Sequence, residues 1–298
     1  MATEEDKPFK DADDFALSSI VDEHIEEVEE KGKKIRRKGV YLLPNLFTTA
    51  ALFAGFFAII SGMNGDFTNA AMAIFAAQIL DGFDGRVARM TNTTSAFGVQ
   101  YDSLSDMVSF GLAPAFVMFS WALEPLGKLG WGAAFVFSAC AALRLARFNT
   151  QVDTVDKRYF VGLASPPAAA ILWATIWSWH DVVPSYEVSV MLAILTTVVG
   201  LLMVSNVRYT SFKEFDLKGR VPFVVLFAAV LLFVLITVDP ARMLLLMAVT
   251  YCCSGPLHWC YRVFKSRSSQ EAAIAGSHGG EKAPDHDEEE APLVGDKK

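Results

Sequence analysis

The sequence is short of charge where a soluble protein of its size would need it. Asp, Glu, Lys and Arg make up only 20% of its 298 residues, against 53% apolar, whereas soluble domains carry about 25% charged and 45–50% apolar residues. Its four cysteines, Cys140, Cys252, Cys253 and Cys260, lie in apolar stretches. They have no CxxC spacing and no histidine partner set, so they read as small buried hydrophobes rather than metal ligands. His180 and His258 have no partner at metal-ligand spacing and read as structural. Ser165 and Ser205 lack a histidine base, which leaves nucleophilic serine chemistry without support. The first 30 residues contain no apolar core of the kind a signal peptide needs, so an internal span is expected to direct insertion.

What is present in excess is uninterrupted apolar sequence, including 23 Phe. A soluble enzyme, a disordered regulator and a fibrous protein are all excluded by runs of that length. Taking about 20 apolar residues per crossing, eight spans are expected near 41–62, 67–90, 100–122, 128–149, 160–180, 188–207, 221–238 and 242–262. Each run is continuous rather than alternating, so the spans are helices and the fold is an all-α polytopic membrane bundle. Trp121, Trp131, Trp177, Trp179 and Trp259 fall near span ends, as interfacial anchors do.

The net charge of −7 conceals two opposite regions. Residues 1–30 hold 12 Asp/Glu against Lys7 and Lys10, and the tail after Arg267 holds 8 against three lysines. That leaves 21 Lys/Arg and 13 Asp/Glu over residues 31–267, a basic body suited to anionic headgroups and phosphates. The acidic tails read as solvated segments. A helix is expected over Val21–Lys38, acidic at its start and basic at its end. The segment before the first span and the connections after spans two, four, six and eight carry 19 Lys/Arg; the alternate connections carry only Lys128 and Arg242. Positive residues stay inside, so both termini and the C-terminal ends of the even-numbered helices are expected on the cytoplasmic face.

Four carboxylates interrupt this apolar pattern: Asp81 and Asp84 near the end of span two, Asp102 and Asp106 at the start of span three. A charge within a span costs roughly 2.5–3.5 kcal/mol on insertion scales and marks function by default. Asp81 and Asp84 are i, i+3, and Asp102 and Asp106 are i, i+4, so each pair shares a helix face. A short turn between the helices would bring both pairs to one depth. Four converging carboxylates need cations, and an oxygen-only ligand set favours Mg²⁺ or Mn²⁺. Two such ions, with Arg86 and Arg89, would offset the four acids and a bound diphosphate, leaving the site near neutral as a low dielectric demands. Gly82, Gly85, Ala88 and Gly98 would leave room for a nucleotide or phosphate beside the acids; the alternative reading is small-residue helix packing.

The acids belong to one string: Asp81-Gly-Phe-Asp84-Gly85-Arg86-Val-Ala88-Arg89, eight residues, Gly98, three residues, Asp102, three residues, Asp106. This matches DxxDGxxARx8GxxxDxxxD at every fixed position and resembles the CDP-alcohol phosphotransferase family. The resemblance implies a six-helix catalytic core with two metal ions that bind the diphosphate of a CDP-linked lipid. Asp81, Asp84 and Asp102 would surround one ion and Asp81, Asp102 and Asp106 the other, with Asp106 as the base on the acceptor alcohol. Asn45, Thr48, Gly85, Ala88, Arg89 and Gly98 would contact CDP-diacylglycerol. The implied organisation is a cytoplasmic segment at 1–38, a catalytic core at 39–220, two further spans at 221–264 and an acidic tail at 265–298. A homodimer is also implied.

Further segments resemble the serine-accepting branch of that family: Leu43-Pro44-Asn45-Leu46-Phe47-Thr48, Arg144-Leu145-Ala146-Arg147-Phe148-Asn149, Gly162-Leu163-Ala164-Ser165-Pro166-Pro167-Ala168, and Ser205-Asn206-Val207-Arg208-Tyr209 with Lys213. Ala164 departs from the proline more common in that branch. Arg144 and Arg147, i, i+3 at a helix end beside Asn149, would clamp a carboxylate such as that of serine; positive-inside topology is the competing explanation. Glycerol 3-phosphate, inositol and choline remain as alternative acceptors. An aspartate-rich prenyltransferase and a divalent-cation transporter are the rival activities. Both acid pairs sit on adjacent helices, without the second distant cluster of the former or the transmembrane path of acids of the latter.

Overall fold

The structure is a computed structural model, and it describes residues 25–30, 33–38, 42–90, 96–151, 159–210 and 223–258. Met1–Gly255 form one compact unit. Of the second, Pro256–Lys298, only 256–258 are described. Cys260 and Trp259 therefore lie outside the described residues, as do Lys213, residues 1–24 and the acidic tail at 265–298.

The first unit is a helical membrane bundle. Helix α1 spans Leu42–Met63, α2 Phe67–Met90 and α3 Ala96–Asp106. α4 spans Lys128–Gln151, α5 Ser165–Trp179, α6 Tyr186–Val204, α7 Phe223–Val238 and α8 residues 240–258. Helical rods thus stand at all eight expected positions. Four are long and apolar enough to cross a membrane by length and composition: Asn45–Met63, Phe97–Leu126, Lys128–Thr150 and Tyr186–Val204.

The turns follow from local chemistry. Gly65 takes the left-handed conformation at φ 76°, which a glycine adopts without penalty. Asp66 then caps α2, its carboxylate accepting from the Asn69 backbone N–H at 3.1 Å and from the Asn69 amide at 2.6 Å. Ser185 caps α6 in the same way through Val188, and Asp239 caps α8 through Arg242. Pro166 and Pro167 occupy the first turn of α5, where their missing N–H groups cost nothing. Ala164 before them holds φ −68° and ψ 149°, values a proline would also adopt, so its departure from proline changes no geometry.

The third span is one rod but not a regular helix. Beyond α3 it widens to π-helical turns at Met107–Leu112, returns to α-helix at Ala113–Met118, widens again at Phe119–Leu123 and ends in a tight turn at Glu124–Leu126. Pro114 explains the first widening: it has no N–H for the Phe110 carbonyl one turn back, and the wide turn absorbs the mismatch.

Small residues line the helix contacts while large ones face outward. Ala51 and Ala58 on α1, and Ala70, Ala71 and Ala77 on α2, are all buried, whereas Phe53, Phe56, Phe57 and Ile60 are exposed. Water would not tolerate that distribution. Lipid does, because tails are as apolar as Phe and association depends on close backbone packing. Every side chain of α7 except Ile236 is exposed in the same way. The anchor residues Trp131 and Trp179 are exposed at their span ends.

The expected helix over Val21–Lys38 is corrected by the structure. Ile25–Glu30 and Lys33–Lys38, named β1 and β2, form an antiparallel pair. Its register sets Glu26 opposite Arg37, Glu27 opposite Arg36, Glu29 opposite Lys34 and Glu30 opposite Lys33. By this register the acidic first half of that stretch is paired, position for position, with its basic second half. The expected fifth span is also shorter than 160–180. Its first residues form β3, Tyr159–Val161, which pairs with β4, Arg208–Thr210.

Candidate active site

Hydrogen bonds between distant helices gather the C-terminal ends of α2, α4, α6 and α8 with the N-terminal ends of α1, α3 and α5. This end of the bundle holds all the expected site residues. One carboxylate oxygen each from Asp81, Asp102 and Asp106 lies within 4.8 Å of the other two. The Asp81 and Asp106 side chains are close enough to share a hydrogen bond, as are those of Asp84 and Asp102. The Asp102 Oδ1 is buried and has no hydrogen-bond partner.

A buried carboxylate oxygen without a donor is costly. Three carboxylates at this spacing repel one another unless a cation or protons intervene. Hard oxygen donors, one of them orphaned, on two rigid helix segments therefore fit a divalent metal ion. The trio is the set expected around one of the two ions. Asp84 stands beside it and not within it.

Asp84 is 5% exposed, and its position is set from α1. The Thr48 hydroxyl donates to Asp84 Oδ2 at 2.8 Å, so Thr48 fixes a site carboxylate. Thr48 is itself located by the third span, because Ser105 Oγ donates to the Thr48 carbonyl at 3.1 Å. One turn on, Ser109 Oγ donates to the Ala51 carbonyl at 3.0 Å. This approach requires Gly55, where a Cβ would stand 2.7 Å from Ser109 Oγ. The sequence reading missed both serines. Their signal was available: two hydroxyls one turn apart on an apolar helix, each three residues after a site aspartate.

Asn45 lies one turn before Thr48 on the same face, and its buried Nδ2 has no partner. Gly82 and Gly85 are exposed, and a Cβ at either would meet nothing within 4 Å. Open space therefore adjoins the acids. Gly98 is half-buried in the first turn of α3, and Arg86 is exposed. Ala88 and Arg89 occupy the last turns of α2; their side chains lie outside the described set.

Arg144 and Arg147 diverge. Arg144 Nη1 donates to Ser165 Oγ on α5 at 2.7 Å, and its guanidinium stands 5.6 Å from the Phe148 ring centroid. Among the groups within its electrostatic range are Asp81 and Asp106. Arg147 instead donates to the Val204 carbonyl at 3.3 Å and to Asn206 Oδ1 at 2.9 Å, which pins the end of α6. Asn149 exchanges hydrogen bonds with Ser103 on α3, its Nδ2 donating at 3.0 Å.

His180 pairs with Asp181 at 2.8 Å and with the Trp177 carbonyl, and His258 is exposed. Cys140 and Cys252 are buried free thiols, whereas Cys253 is exposed.

The chain is similar in sequence to known proteins. The family model described as CDP-alcohol phosphatidyltransferase matches residues 41–202. A Helicobacter pylori protein named CDP-diacylglycerol–serine O-phosphatidyltransferase is 36% identical over 230 residues, covering 76% of this chain and 94% of its own. Proteins of the same name from Methanocaldococcus jannaschii and Bacillus subtilis are 36% and 32% identical over 52% and 58% of this chain, covering 71% and 92% of their own.

Proposed function

The chain belongs to the CDP-alcohol phosphatidyltransferase family, and on that premise we propose that it transfers the phosphatidyl group of CDP-diacylglycerol to the hydroxyl of L-serine, releasing CMP. The observation that carries this reading is the convergence of Asp81, Asp102 and Asp106 within 4.8 Å beside open space at Gly82 and Gly85.

Asp81, Asp84, Asp102 and Asp106 would hold two Mg²⁺ or Mn²⁺ ions, which supply charge stabilisation for a transferring phosphoryl group. Asn45 Nδ2, a buried donor without a partner, is suited to the cytidine or a phosphate oxygen. The nucleotide would lie against Gly82, Gly85, Ala88 and Gly98, and the charge of Arg89 would offset that of the departing CMP. Asp106 accepts the proton of the serine hydroxyl as its oxygen attacks the β-phosphorus. Attack is direct, because among the described residues no serine, threonine or cysteine is paired with a histidine base that would make it a nucleophile. Arg144 receives the serine carboxylate. Asn149 and Arg147 support that end of the pocket through Ser103 and α6.

The site belongs at the cytoplasmic face, since the helix ends gathered around it are those flanked by Lys and Arg. On this reading 39–220 is the catalytic core, 221–264 adds two spans, and both tails are cytoplasmic. The exposed apolar surface of α7 leaves area for lipid and for a homodimer.

CMP release from CDP-diacylglycerol, measured in mixed micelles with serine, inositol, glycerol 3-phosphate and choline in turn, tests the acceptor. Serine alone is expected to support turnover. Release with another acceptor instead reassigns the alcohol, and metal flux in proteoliposomes without CMP release replaces the enzyme with a transporter. Replacing Thr48 by Val removes the donor that fixes Asp84. It is expected to lower kcat/KM about tenfold, the weight of one hydrogen bond to a charged group, with Thr48→Ser close to wild type. Equal rates in all three would show that Asp84 needs no such support.

A further inference from the structure

One turn before the acids, α2 carries a polar side chain that the transfer chemistry does not use. Gln78, Asp81, Gly82 and Gly85 recur at i, i+3, i+4 and i+7, so they share one face of the helix. Along that face Gly82 and Gly85 are exposed, and a Cβ at either would meet nothing within 4 Å. Gln78 is half-buried. By the helical rise it stands about 4.5 Å from Asp81 along the axis, on the side toward the middle of the helix.

The Gln78 amide is held at one atom. Trp173 Nε1 on α5 donates to Gln78 Oε1 at 3.1 Å. An indole N–H only donates, so the amide oxygen faces it and the amide nitrogen is left to donate elsewhere. Trp173 is 2% exposed. Its ring centroid lies 5.0 Å from that of Phe75 and 6.1 Å from that of Trp177, which leaves the indole little room to turn. Among the described residues no group accepts from Gln78 Nε2, and packing does not seal that nitrogen from its surroundings.

A free amide N–H in the expected second span is costly, because lipid tails offer no acceptor. Its place on the open face lets a ligand lying there accept. The donor lipid has one kind of acceptor for that depth. With its diphosphate at Asp81, Asp102 and Asp106, the next polar groups toward the membrane middle are the ester carbonyls on glycerol. Below them the tails carry nothing polar. Resting on the proposed function, we propose that Gln78 binds the diacylglycerol end of the lipid donor, its Nε2 donating to an ester carbonyl while Trp173 fixes the amide. The ligand class is a glycerol ester; a glycerol ether lacks the carbonyl.

The test compares CDP-diacylglycerol with its dialkyl ether analogue of equal chain length, in micelles of a detergent free of ester groups. In wild type the KM, as a mole fraction, is expected to be about fivefold lower for the ester, the weight of one neutral hydrogen bond. Gln78→Met keeps the length of the side chain and a weak acceptor for Trp173, but it has no donor. Its KM for the ester is expected to rise about fivefold. Its KM for the ether, its KM for serine and its kcat should stay within about twofold of wild type. Trp173→Phe leaves Gln78 in place but unfixed, and should cut the ester preference to about twofold.

Equal KM values for ester and ether in wild type overturn the assignment without any variant. An equal rise for both lipids in Gln78→Met does so too, by reducing Gln78 to a packing contact between α2 and α5. An undiminished ester preference in Trp173→Phe overturns the fixing role of the indole. Wild-type protein that releases no CMP from either lipid with serine sinks the proposed function itself, a failure visible before any variant is made.

Discussion

Replacing Asp106 by Asn is expected to lower kcat by about a thousandfold while CDP-diacylglycerol still binds within a few-fold of wild type. General base catalysis contributes typically 10²–10⁴-fold, and an amide cannot take the proton of an attacking hydroxyl. The substitution is nearly isosteric, so the half-buried side chain keeps its place at the end of α3, beside Asp81. Binding rests on other groups, chiefly the remaining three carboxylates and the donors on α1. The measurement is paired: CMP release under single-turnover conditions and retention of labelled CDP-diacylglycerol by the same preparation. Wild-type turnover in the variant would remove Asp106 from the role of base. Loss of lipid binding together with turnover would place it among the ligands alone.

Stripping divalent metal should be as severe. Dialysis against EDTA is expected to bring serine-dependent CMP release to background, with recovery on adding Mn²⁺ or Mg²⁺. The reason lies in the charges: Asp81, Asp102 and Asp106 crowd together on two helices, and Asp102 Oδ1 has no donor. Manganese bound to the chain is visible directly by electron paramagnetic resonance, independently of turnover. Asp102→Ala should lose most of that signal, because Asp102 belongs to the trio and also stands beside Asp84. Full activity in EDTA, or a manganese signal that survives Asp102→Ala unchanged, would contradict a metal site built on these acids.

Much of the architecture is legible along the chain because membrane helices announce themselves locally. A run of about 20 apolar residues reads as a span wherever it falls. The spacing of Asp81, Asp84, Asp102 and Asp106 sets their helix faces by the 3.6-residue period alone. Local reading failed where the partner was remote or the ladder irregular. The segment ending at Lys38 has a charge gradient that suits an amphipathic helix and a hairpin equally, and only pairing β1 with β2 selects the hairpin. The widened turns after Asp106 depend on how the rod around Pro114 packs against its neighbours.

By itself the sequence determined a polytopic helical bundle, the membership of its central motif, and which acids stand on which helix. Tertiary structure alone decided that Thr48 holds Asp84, and that Arg147 turns to α6 while Arg144 turns to Ser165 on α5. The physical reason is separation: these contacts join residues dozens of positions apart, and the helical period carries no information about which of two neighbouring side chains will find a partner across a packed interface.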